Sequence, residues 1–133
     1  MADMEIYFPG GKRVYADYNG FTIQTDQPVR GGGEGTAPAP FDLFLASIGT
    51  CAGVYARGFM QQRGIDPAGS KLVMRSRYNP EAGLVDHIDL ELTTPPGFPE
   101  KYRDAIIKAM DLCAVKKHIA HPPAFGVTAV AGK

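Results

Sequence analysis

The chain has 133 residues, 14 Lys and Arg against 14 Asp and Glu, and a hydrophobic share of 44%. That length suits a single domain over residues 1–133 with a core of its own, and the ordinary composition excludes disordered, fibrous and low-complexity chains. A formal net charge of zero argues against nucleic acid as a partner, because such binders gather a basic excess on one face.

Asp3, Glu5, Asp17 and Asp26 interrupt the first thirty residues, so no secretory leader is expected there. The uncharged apolar run from Leu43 to Ala56 is 14 residues, short of the roughly 20 that a membrane-spanning helix needs. The expectation is a cytoplasmic protein that does not enter a membrane.

In chain order, Glu5 to Phe8 and the alternating stretch from Val14 to Asp26 read as a meander of two or three strands. Asn19-Gly20, a strong hairpin signal, falls inside the second stretch. Pro28 to Pro40, with Gly31, Gly32, Gly33 and Gly35, reads as a flexible loop. It lacks the Gly-Lys-Ser/Thr ending and the G-x-G-x-x-G spacing of phosphate loops.

Asp42 to Arg63 is the long helix candidate, apolar almost all round as far as Ala56 and so expected in the core. Its Ala46, Ser47, Gly49, Ala52, Gly53 and Ala56 suggest close packing by another backbone, since a helical glycine costs about 1 kcal/mol against alanine. Leu72 to Tyr78 and Ile88 to Thr93 alternate around an Asn79-to-Gly83 turn as a second hairpin. Pro99 and Glu100 open a helix whose apolar face runs Ile106, Met110, Cys113 until His121-Pro122-Pro123 stops it, and Phe125 to Val130 reads as a closing strand. The order of strands, helix, strands, helix and strand is that of an α+β fold.

Cys51 and Cys113 lie 62 residues apart with no CxxC or zinc-type cluster. In a reducing compartment they are two buried thiols or one redox pair. A reactive thiol must ionise, and at an ordinary pKa only about 3% is thiolate at neutral pH. Cys51 lies nine residues past Asp42, beyond reach of its own helix's dipole, so the charge must come from elsewhere. Arg30, and the Lys12-Arg13 pair after Gly10-Gly11, are the available cations, with Asp42 or Glu34 to hold the guanidinium. Asp42 reads equally as a helix cap. Cys113, His118 and His121 make a poor metal site, lacking an acid or fourth ligand.

Taken together, Thr36-Ala-Pro-Ala-Pro-Phe-Asp-Leu-Phe-Leu-Ala-Ser-Ile-Gly-Thr-Cys51 and Asp111-Leu-Cys-Ala-Val-Lys-Lys-His118 resemble the two cysteine motifs of the OsmC/Ohr family of osmotically inducible and organic hydroperoxide resistance proteins. Phe41 in place of the peroxidase branches' Glu, Lys12 before Arg13, and Ala114 after the second Cys mark a looser, OsmC-like branch. The resemblance implies an intertwined α+β homodimer with a long central helix carrying Cys51 and a second helix carrying Cys113. It also implies a stress-response peroxidase needing no metal or flavin. Cys51 would attack an organic hydroperoxide, Cys113 would form a disulfide with it, and a dithiol or lipoylated reductant would reset the pair. The alternative is a noncatalytic dimer of the same fold that binds a small apolar ligand in the interface cleft. For the activating cation, Arg30 is favoured over Arg13. An offset of one residue from the family's Gly-Gly-Arg position requires either that Lys12 point inward or that a bulge restore Arg13.

Overall fold

The computed structural model describes residues 3–132, which form two compact units dividing between Ser47 and Ile48. In the first unit, strands β1 (Glu5–Gly10), β2 (Arg13–Tyr18) and β3 (Phe21–Thr25) form an antiparallel meander in that order. Asn19 and Gly20 both adopt positive φ, 51° and 81°, the geometry that joins two strands by a two-residue turn without splaying them. Tyr7 pairs with Tyr15 but Gly10 with Arg13, a one-residue shift. The bulge considered for Arg13 is therefore present, and Arg13 is half-buried where Lys12 is exposed.

The glycine segment is more ordered than the flexible connector expected. A 3-10 turn spans Val29–Gly31, and the amides of Gly33 and Gly35 donate to the carbonyls of Pro28 and Gln27 at 3.1 and 3.0 Å. A β-carbon on Gly33 would overlap the Gln27 carbonyl, so only glycine lets the backbone close there. Asp26, just 1% exposed, anchors the turn. Its carboxylate accepts from the Gln27 amide at 2.7 Å and from the Thr36 amide and hydroxyl at 3.0 and 2.6 Å. These bonds to the charged form, led by Thr36, lower its pKa to about 2.

Helix α1 (Pro40–Gln62) opens with proline in its first turn. Asp42 Oδ2 accepts from the Ala39 amide at 3.3 Å, reaching back as in half of a capping box. At 23 residues the helix outruns the uncharged stretch counted in the sequence, because it takes in Asp42 and Arg57. By length and composition it could cross a membrane, at a mean hydropathy of 1.3. It is not buried all round: Ile48, Ala52, Ala56, Phe59 and Met60 form one inward stripe, while Val54 is 67% exposed.

In the second unit, β4 (Lys71–Asn79) and β5 (Leu84–Thr93) pair antiparallel, with one irregularity between Arg77 and Tyr78. Their side chains meet the small residues of α1. A β-carbon on Gly49 would stand 3.7 Å from Met74 Sδ, and one on Gly53 3.9 Å from a Leu72 δ-methyl. Within the chain, the nearest neighbours of these two glycines are thus side chains of β4.

A 3-10 turn (Glu100–Tyr102) leads into α2 (Arg103–Met110), and α3 (Ala114–Ala120) follows. The single helix expected here is two helices broken at Asp111–Cys113. The core gathers Ala56, Phe59 and Met60 of α1 with Ile106 of α2, flanked by Leu92, Phe98 and Tyr102. The expected closing strand does not form: residues 121–132 are neither helix nor strand, with Phe125 and Val127 87% and 94% exposed. A strand exists only by pairing, and among the described residues none pairs with this one.

Candidate active site

The structure brings Cys51 and Cys113 together within the second unit. Cys51 lies midway along α1, half-buried, and Cys113 is buried. Cys113 does not ride inside a helix as the spacing suggested. The turn after α2 closes through the Leu112 amide on the Ala109 carbonyl at 3.1 Å. Cys113 then becomes the N-terminal cap of α3 at φ −47°, ψ 123°, its sulfur accepting from the Lys116 amide at 3.4 Å. A break between α2 and α3 is what turns this sulfur toward α1.

The two thiols are in hydrogen-bond contact and are driven apart in acidity. The Val115 amide and then the Cys113 thiol donate to Cys51 Sγ, with the Ala114 amide adding to them, and together they outweigh burial and pull the Cys51 pKa down. Burial first, and then the Cys51 sulfur, push Cys113 up. The pair is therefore polarised, with Cys51 shifted toward the thiolate and Cys113 toward the thiol. A thiolate held by donors beside a protonated thiol can attack an electrophile and then be captured as a disulfide.

The backbone amides of Ala114 and Val115 were invisible as candidates, because an amide carries no residue-type signature. The donors come from the start of α3, not from the helix that carries Cys51. The other site candidates lie in the first unit. Arg13 Nη2 pairs with Glu34 Oε1 at 3.5 Å, and its Nε donates to the Gly10 carbonyl at 3.3 Å, so Glu34 is the carboxylate that holds this guanidinium. Arg30 is exposed in the Val29–Gly31 turn, and Asp42 caps α1. His118 Nδ1–H donates to the Ala114 carbonyl at 2.6 Å. Among the described residues no three His, Cys, Asp or Glu side chains are grouped to hold a metal.

Beside the pair lies a cavity of about 410 Å3 whose wall includes Ile48, Leu90, Leu92, Ile106, Met110 and Cys113. Its charged residues are exposed and already matched. Arg103 pairs with Glu100 at 2.9 Å and Lys116 with Asp111 at 2.6 Å.

This sheet-and-helix arrangement has known counterparts. A family model described as OsmC-like protein matches residues 32–128, and the chain belongs to that family. Among solved structures, an osmotic stress induced and detoxification response protein, so described provisionally, from Psychrobacter arcticus is similar at 24% identity and TM-score 0.77, covering 92% of this chain and 90% of its own. An OsmC like protein from Mycoplasma pneumoniae is similar at 15% identity and TM-score 0.69, covering 90% and 87%. An organic hydroperoxide resistance protein OsmC from Legionella pneumophila is similar at 18% identity and TM-score 0.55, covering 90% of each chain. Curated proteins gave no match. At these identities the likeness establishes the α+β OsmC-like fold expected from the sequence.

Proposed function

We propose that the chain is a cytoplasmic thiol-dependent peroxidase that reduces organic hydroperoxides and works as a homodimer. The observation that carries this reading is the polarised thiol pair: Cys51 pulled toward the thiolate by α3 amides and by the Cys113 thiol it contacts. The Cys51 thiolate attacks the terminal peroxide oxygen, the O–O bond breaks, and the alkoxide leaves and takes a proton, with Cys51 oxidised to sulfenic acid. Cys113 then attacks that sulfur, water departs, and a Cys51–Cys113 disulfide forms. A dithiol, lipoylated or free, reduces the disulfide and is itself oxidised. Arg30, ahead of Arg13, is assigned the cation that further favours the thiolate. Belonging to the OsmC-like family supports the reading.

The apolar cavity favours a second reading, a noncatalytic member that holds a small apolar ligand. Peroxide consumption by the pure protein with dithiothreitol or a lipoylated donor decides between them. Cys51→Ser should abolish turnover, and Cys113→Ser should permit one oxidation that stalls at sulfenic acid or overoxidises. Normal turnover by Cys51→Ser would refute the assignment. A stable monomer near 14 kDa in light scattering at micromolar concentration would refute the dimer.

A further inference from the structure

The cavity meets the thiol pair from one side. Cys113 stands on its wall, and of α1 it touches Ile48 and Ala52, the residues that bracket the sulfur helix turn, while Cys51 is not among its lining residues. Its interior is mostly apolar, with the Phe98 ring among aliphatic side chains, and its exposed charges are neutralised in two ion pairs, so it offers an uncharged chain a place out of water and an anion no unpaired partner. We infer that this cavity seats the apolar chain of the reducing dithiol, which attacks the oxidised pair at Cys113 Sγ and expels Cys51. The inference rests on the redox reading of the pair given above.

The exchange balances. One thiolate of the dithiol bonds to Cys113 Sγ, the Cys51–Cys113 bond breaks, and its electron pair leaves on Cys51. The second thiol of the reductant then attacks its own sulfur in that mixed disulfide and frees Cys113, which takes up a proton. The reductant ends as a disulfide and the pair as a thiol and a thiolate. This direction also suits the leaving groups, because the more acidic thiol departs faster and the α3 amides that lower Cys51 are in place to receive the charge. Attack at Cys51 would instead expel the sulfur that burial makes the poorer leaving group.

The test needs no peroxidase activity, so its failure is separable from failure of the peroxidase reading. The full chain is oxidised with diamide to the Cys51–Cys113 disulfide and mixed with benzyl mercaptan. After an acid quench within the first turnover, free thiols are blocked with N-ethylmaleimide and the peptides are mapped by mass spectrometry. The expected result is the benzylthio group on Cys113 and the maleimide on Cys51, by at least tenfold over the reverse. Benzyl mercaptan should also react at least tenfold faster than the anionic 2-mercaptoethanesulfonate, after correction for thiolate fraction. The benzylthio group on Cys51, an even distribution between the two, equal rates for the two thiols, or failure of diamide to link the pair would each overturn the inference.

Discussion

Gly49 and Gly58 of α1 separate two accounts of the small-residue helix. If its glycines are there for a second backbone in close approach, a methyl group on Gly49 must clash. If β4 side chains are the neighbours, it must not. A β-carbon on Gly49 meets Met74 Sδ at 3.7 Å, an ordinary contact, and one on Gly58 meets nothing within 4 Å. Each Gly→Ala change should therefore return the helix-propensity difference of about 0.8–1 kcal/mol, with roughly 0.1–0.2 kcal/mol more at Gly49 from the new contact. With about 2.1 cal/mol/K of unfolding entropy per residue, a chain this long loses roughly 0.28 kcal/mol of stability per degree near its midpoint, so each variant should melt about 3–4 °C higher. The assay is thermal unfolding of the reduced protein at neutral pH by circular dichroism, with calorimetry as a second probe. A Gly49→Ala variant that melts several degrees lower while Gly58→Ala melts higher would refute the reasoning, and would mean that another backbone presses on Gly49.

Ala114→Pro should leave the fold intact, since Cys113 at φ −47°, ψ 123° already has the extended backbone that precedes proline and Ala114 is the first residue of α3. It removes one amide that favours the Cys51 thiolate, so iodoacetamide should alkylate Cys51 more slowly at neutral pH, and an unchanged rate would count against the amide account. In the pH profile of alkylation, Arg30→Ala or Arg13→Ala should move the Cys51 midpoint upward; if neither does, and Lys12→Ala does not, the cation argument fails and the noncatalytic reading is favoured. Asp26, with its folded pKa lowered to about 2 from 3.8, contributes stability that is complete above the unfolded value and is lost as pH falls toward 2. Asp26→Asn should flatten acid unfolding over that range and open the Gly31–Gly35 segment to proteolysis at neutral pH, and an acid profile identical to wild type would refute the anchor.

What the sequence made legible was local. Asn19-Gly20 and the Asn79-to-Gly83 turn fixed both hairpins, because a turn's chemistry sits in the residues that make it. The thiol pair was legible only through the resemblance, since 62 residues separate sulfurs that the fold sets in contact. The break at Asp111–Cys113 was hidden because no glycine or proline marks it, and cysteine is not a residue that announces a helix cap. The anchoring role of Asp26 was not legible, because its partner Thr36 lies ten residues on and the donors are mostly backbone amides. Phe125 to Val130 has the alternation of a strand but pairs with no strand among the described residues.

The cap of α3 has a consequence for how this protein tolerates change. Serine or asparagine at that position would grip the Lys116 amide more firmly than a sulfur does at 3.4 Å. On the redox reading proposed above, the chain forgoes part of the cap strength that serine would give in order to keep a group that can exchange electrons. Because the same atom finishes a helix and faces the other thiol, Cys113→Ser is a rare substitution in which chemistry is deleted while architecture is reinforced. A fault in that variant's turnover would then be read as lost redox function, with no loosening of the scaffold to confuse it.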